Sequence, residues 1–208
     1  LIPSWTVVIP VKGSTGKSRL QHPDRAELAL AIALDTVAAV CRAKHVRAVV
    51  LVTADAEVRR ELEGLAADAH LDVVTDPGSG LNPAVTAGLA AADPAHPRAA
   101  LLGDLPALRP EHLDAALELA SAHARSFAAD AEGTGTTLIA ARAGVALAPA
   151  FGSGSAARHA AEGLVPLALP AQSTVRRDVD TADQLRAAAA LGLGPRTAEL
   201  VRGAGDLG

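Results

Sequence analysis

The chain has 208 residues, half of them apolar, a formal charge of -4 and a pI near 6.0. That length supports one domain with a sizeable core. The absence of any block of like charge argues against a nucleic-acid or anionic-membrane surface, and an aromatic content of 1% leaves no platform for stacking single strands.

Cys41 is the only cysteine, so no disulfide forms within the chain, and its Ala-rich surroundings read as a packing position. The longest apolar pattern, residues 28–40, is interrupted by Asp35 and Thr36, and the N-terminal stretch lacks a cationic region followed by a long apolar run. A soluble cytoplasmic protein is expected.

The first element is the β-branched run at residues 7–11, long enough for a buried strand and too short for a helix. A loop with Gly13 and Gly16 follows, in which Lys12, Lys17 and Arg19 place three cations within eight positions. In an open α/β sheet the C-terminal ends of strands are where ligands sit, so this loop points to an anionic, polyphosphate-like ligand. Gly-Lys-Ser resembles part of a P-loop, but the required earlier glycine is replaced by Val11, and the pattern fails.

Asp24-Arg25-Ala26-Glu27 has the spacing of a capping box and opens a helix over residues 24–41. A second strand at 46–53, a helix at 56–66 and a short strand at 73–75 follow. The alternation predicts an α/β fold: a mostly parallel central sheet with helices on both faces, in one domain over residues 1–208. Next comes Asp76-Pro77-Gly78-Ser79-Gly80-Leu81-Asn82-Pro83, which reads as a loop closed by Asn82 as N-cap with Pro at the first helical position.

Residues 99–102 form an apolar, central strand that runs into Gly103-Asp104-Leu105-Pro106. An aspartate there needs a partner, and a metal ion is one way to supply it. Arg109-Pro110 starts a helix with Leu113, Leu117 and Ala120 on one face. The row Gly133-Thr134-Gly135-Thr136-Thr137 precedes a strand at 138–141, and Phe151-Gly152-Ser153-Gly154-Ser155 precedes a helix at 156–161. Both rows let ligand oxygens approach backbone N–H groups, with Ser155 as a plain N-cap being the alternative for the second. If residues 175–181 are extended, Asp178 and Asp180 share one face roughly 7 Å apart, an arrangement that calls for a cation. Thr181-Ala182-Asp183-Gln184 then makes a capping box for a helix to residue 190.

Taken together, Ile9-Pro10-Val11-Lys12, Lys17-Ser18-Arg19-Leu20, Gly103-Asp104-Leu105-Pro106-Ala107-Leu108, Gly133-Thr134-Gly135-Thr136, Phe151-Gly152, Ser155, Arg158-His159 and Asp178-Val179-Asp180-Thr181 are in the order of one family. The chain resembles the phosphoenolpyruvate or 2-phospho-L-lactate guanylyltransferases of coenzyme F-420 biosynthesis, which have the nucleotide-diphosphosugar transferase-like fold. The first loop is one residue shorter between its lysines than the family pattern.

The resemblance implies that a phosphorylated three-carbon acid attacks the α-phosphorus of GTP and pyrophosphate leaves. It implies Mg2+ held by Asp104, Asp178 and Asp180, acid contacts from Thr136, Gly152 and Ser155, and triphosphate contacts from Lys12, Lys17 and Arg19, with Gly80 and Asn82 near the nucleotide. Phosphoenolpyruvate is the favoured acid, 2-phospholactate the next. The attacking oxygen is a phosphate already anionic near neutral pH, so the work is charge neutralisation and in-line placement rather than general-base catalysis. A homodimer is expected, though no interface pattern is visible. Rival readings are a nucleotidyltransferase of the same fold acting on a sugar phosphate or pterin cofactor, and a non-catalytic nucleotide-binding module.

Overall fold

A computed structural model of the chain describes residues 3–12, 25–65 and 70–203. Lys17, Arg19, Gly13, Gly16 and the capping residue Asp24 lie outside the described residues. Strand β1 (Trp5–Pro10) is buried along its whole length. An unbroken apolar run can cover both faces of a sheet: Val7 and Ile9 point into one core cluster and Val8 into the other.

Strand β2 (Val46–Val52) pairs parallel with β1, and β3 (Leu71–Val74) parallel with β2. The crossovers are helices α1 (Arg25–Cys41) and α2 (Ala56–Leu65). Helix α3 (Leu81–Ala91) then carries the chain back over the sheet to β4 (Arg98–Leu101), which pairs parallel with the other side of β1. The order of winding therefore reverses between β1 and β4, and a crevice opens at their C-terminal ends.

The remaining elements are α4 (Pro110–Ser121), β5 (Arg125–Ala129), β6 (Thr136–Ala141), α5 (Ser155–Ala161), β7 (Val165–Pro166), a 3-10 turn at Thr174–Arg176, α6 (Ala182–Leu191) and α7 (Pro195–Gly203). The sheet runs β3-β2-β1-β4-β6-β5-β7, with β6 antiparallel to both of its neighbours and the other pairings parallel. Helices cover both faces. Val37, Val58, Leu113 and Leu117 from α1, α2 and α4 fill one side, and Val85, Leu89 and Ala156 from α3 and α5 fill the other. Among the described residues no helix is long and apolar enough to cross a membrane.

Several local expectations are corrected. Helix α3 begins at Leu81 with Gly80, at φ 113°, as its N-cap, so Asn82 lies inside the first turn and its side chain does other work. Gly154 caps α5, so Ser155 is the first helical residue. Residues 175–181 are not a strand: Arg176 and Arg177 donate back to Ser173 and Thr174 in the 3-10 turn, and irregular backbone follows. The Thr181–Gln184 capping box is present as read, with Gln184 N donating to Thr181 Oγ1 and Gln184 Oε1 accepting from Thr181 N.

Candidate active site

Four strand ends meet at the crevice. Pro10 ends β1 with Val11 and Lys12 after it, Leu102 to Asp104 follow β4, Asp130 follows β5, and Thr136 begins the antiparallel β6. Together with residues 151–155, Asp178 and Asp180 they line a cavity of about 890 Å3. Gly103 is needed for this convergence, since a Cβ there would stand 2.8 Å from the Pro10 carbonyl oxygen.

The backbone around Asp104 is held from two sides. Buried Thr36 on α1 donates its hydroxyl to Ile32 O at 2.8 Å and accepts from Leu105 N at 3.1 Å. Val179 N donates to Asp104 O at 3.1 Å. Val179 itself is fully buried against Leu28, Ile32 and Leu185, and this anchorage, rather than a strand, sets the flanking Asp178 and Asp180 on the cavity.

Asp130 was not anticipated. Its carboxylate accepts Thr134 N at 2.9 Å and Gly135 N at 2.8 Å, and its carbonyl accepts Gly133 N at 3.2 Å. The N–H groups of the 133–135 turn are thus spent on Asp130 and are not presented to a ligand, contrary to the reading of that row. A signal existed: an apolar run ending in an aspartate, as at Asp104, but the Ala-rich context hid β5.

Carboxylate oxygens of Asp130, Glu132 and Asp178 lie within 4.8 Å of one another, and Glu132 also pairs with Arg177 at 2.7 Å. Burial, then Asp104 and Asp130, and to a smaller extent Asp180 push the Asp178 carboxyl up to about 7, against a backbone hydrogen bond that lowers it. Asp178 Oδ1 is buried and has no hydrogen-bond partner among the described residues. Hard oxygen donors that are crowded and partly desolvated fit a divalent cation. The expected trio is brought to one cavity, but the tight oxygen cluster is built by Asp178 with Asp130 and Glu132.

The opposite wall is the 150–155 segment. Every one of its carbonyls from residue 150 to 153 is engaged. Arg158 donates to Ala150 O at 3.0 and 3.2 Å and to Ser153 O at 2.5 Å; Asn82 Nδ2 donates to Phe151 O at 3.1 Å; Ser155 N donates to Gly152 O at 3.0 Å. Asn82 Oδ1 also accepts Phe151 N at 2.8 Å. The N–H groups of Gly152, Ser153 and Gly154 have no acceptor among the described residues. Gly152 at φ 122° and Gly154 at φ 69° permit this shape.

Fully buried His159 connects this wall to β6. Its Nε2 accepts Ala150 N at 3.0 Å, so the ring proton is on Nδ1 and is donated to Thr136 Oγ1 at 2.9 Å. Thr136 and Ser155 are almost wholly buried, and Lys12 is exposed at the mouth. Leu81 lines the cavity, with Gly80 and Asn82 on either side of it in sequence.

Carboxylates at the switch point of a mostly parallel sheet, facing unused backbone amides, define a protein of the α/β nucleotide-handling class. A family profile described as the MobA-like NTP transferase domain matches residues 17–169. A phosphoenolpyruvate guanylyltransferase of Thermomonospora curvata is 50% identical over 204 residues, covering 95% of this chain and 88% of that one. That of Streptomyces scabiei is 52% identical over 203 residues, covering 93% and 94%. The chain belongs to the MobA-like NTP transferase family, on the branch of the phosphoenolpyruvate guanylyltransferases. It is a nucleotidyltransferase. A solved structure from Desulfovibrio desulfuricans G20, described as a nucleotide-diphospho-sugar transferase, shares the fold with a TM-score of 0.69 at 18% identity, covering 96% of this chain and 94% of that one. A 4-diphosphocytidyl-2C-methyl-D-erythritol synthase from Anaerococcus prevotii does so with a TM-score of 0.61 at 14% identity, covering 91% and 96%.

Proposed function

We propose that the protein joins the GMP unit of GTP to the phosphate of phosphoenolpyruvate, with release of pyrophosphate, as a cytoplasmic step of coenzyme F-420 biosynthesis; 2-phospho-L-lactate is the next candidate acid. The observation that carries this reading is the pairing, across one cavity, of a carboxylate cluster with a wall of three uncommitted backbone amides. One side suits a metal-bound triphosphate, the other a small acid bearing its own negative charges.

Asp104, Asp178 and Asp180 would hold Mg2+, with Asp130 beside them. A bound magnesium ion would neutralise the charge that develops on the phosphates. Lys12, and with it Lys17 and Arg19, offsets the remaining triphosphate charge, and Gly80 lies toward the nucleotide. The N–H of Gly152 and the hydroxyls of Thr136 and Ser155 bind the acid. Its phosphate oxygen forms the new bond to the α-phosphorus while the bond to the pyrophosphate oxygen breaks, so no proton needs removing at neutral pH. His159, with Nε2 occupied by Ala150 N, is assigned no general-base role.

Incubation with GTP, magnesium and each acid in turn tests the proposal through pyrophosphate release. Release is expected with phosphoenolpyruvate and GTP. Equal release with ATP and CTP would remove the guanylyl preference, and none with any phosphorylated acid would favour a binding module. A homodimer is a separate expectation, checked by mass in solution.

A further inference from the structure

We infer that Asn82 is a positioning residue of the acid-binding wall, turning the Phe151–Gly152 peptide so that the Gly152 N–H is presented to an anion. The inference rests on the acid site proposed above and names the residue that shapes it.

The argument starts from peptide planarity. The carbonyl of one residue and the N–H of the next lie in one plane and point in opposite directions. Whatever binds a carbonyl therefore aims the following N–H away from itself. Ser155 N on Gly152 O and Arg158 on Ser153 O direct the N–H groups of Ser153 and Gly154 in this manner. Both partners are local, within five residues of the groups they hold. For the Gly152 N–H the corresponding partner is Asn82, 69 residues from Phe151 in sequence.

Asn82 makes a two-point contact, accepting from Phe151 N and donating to Phe151 O, so the orientation of that residue's backbone is fixed. It acts from the first turn of α3, a helix set close on the sheet, since a Cβ at Gly88 would collide with the side chains of Val8 and Val52. The wall thus gains a fixed attachment on the α3 side, complementing the His159–Thr136 link on the β6 side. Both ends of the Asn82 amide are engaged by Phe151, with one Nδ2 proton left over.

The contact demands an amide. Asn82→Asp has nearly the same shape and still accepts Phe151 N, but it sets a carboxylate oxygen against Phe151 O, and the peptide is driven to turn. In Asn82→Asp the KM for the phosphorylated acid should rise roughly tenfold or more while the KM for GTP stays within about twofold. A role confined to packing would move the melting temperature and leave this ratio unchanged.

A second measurement does not need turnover. Titrating 15N-labelled protein with inorganic phosphate should shift the amides of Gly152, Ser153 and Gly154 in the wild type, with phosphate affinity at least several-fold weaker in Asn82→Asp. Should that variant fail to fold, Asn82→Ala carries the same test. Equal phosphate affinity in wild type and variant, or no phosphate response at these amides in the wild type, overturns the inference. A phosphate response that depends on Asn82, in a protein inactive with every acid, would uphold the inference and remove the guanylyltransferase reading instead.

Discussion

His159 shows how much a single proton decides. Because Ala150 N–H donates to Nε2, the Nδ1 proton goes to Thr136 Oγ1, and the Thr136 hydroxyl proton is left for a ligand in the cavity. A second ring proton would stand donor to donor against Ala150 N–H. Burial already holds the ring below its ordinary pKa of 6.5, with nearby Arg158 acting in the same sense and Glu162 in the opposite one. The folded pKa thus lies below the unfolded one, so the unfolded chain takes up the proton first as pH falls. Stability should be intact above pH 6.5 and decline as pH drops below it toward the folded pKa. Urea unfolding at several pH values should show this decline in the wild type and a shallower one in His159→Gln; parallel profiles would mean that His159 carries no such linkage. In the sequence, Thr136 and His159 stood out as motif residues, as did Gly152, Ser155 and the aspartates. What each side chain bonds to was not legible, because partners such as Asn82 and Phe151 are separated by 69 positions.

At the scale of elements, legibility followed the strength of the local pattern. The β-branched run of β1, the spaced apolar face of α4 and the capping box of α6 each carry their own signal. Strand β5 is Arg-Ser-Phe-Ala-Ala, whose alanines carry little strand preference of their own, so it is defined by its pairing with β6, and β7 has only two residues. Helix α7 was missed because its start is fixed from α1. Asp35, which the sequence offered only as a break in an apolar run, is buried and accepts Thr197 N at 2.8 Å and Arg196 N at 3.3 Å, with Gly194 packed against its carboxylate. It therefore acts as an N-terminal cap supplied by another helix. Asp35→Ala should lower stability by about 1–2 kcal/mol, a typical cost of losing such a cap. Amide exchange should quicken selectively in α7; uniform exchange with an unchanged melting temperature would contradict the docking role.

At the scale of the whole molecule, the cavity gathers carboxylates that the chain itself keeps far apart. Asp104 follows β4, Asp130 follows β5, and Asp178 and Asp180 follow the 3-10 turn, yet all four line one cavity. The convergence of Asp104 with Asp178 and Asp180 could be anticipated from family resemblance. Asp130 carries the same local signal, an apolar run ending in an aspartate, but it joins them only because β6 inserts between β4 and β5 in reversed direction. In a protein with net charge -4 this grouping opposes folding unless a cation answers it. Magnesium should then raise the melting temperature by mass action, by an amount equivalent to about 2.7 kcal/mol at a hundred times its dissociation constant. Asp178→Asn keeps size and removes one charge from a half-buried site whose Oδ1 has no hydrogen-bond partner among the described residues. Without metal, the variant should be no less stable than the wild type, because repulsion by Asp104 and Asp130 is relieved. With magnesium it should gain less, and turnover should fall by roughly two orders of magnitude or more, as expected when several kcal/mol of transition-state charge stabilisation is lost. Calorimetry in chelator and in magnesium, alongside pyrophosphate release, separates the two effects. Near-normal turnover of Asp178→Asn at low magnesium, or a wild-type melting temperature indifferent to the ion, would show that the carboxylates serve some purpose other than holding a metal.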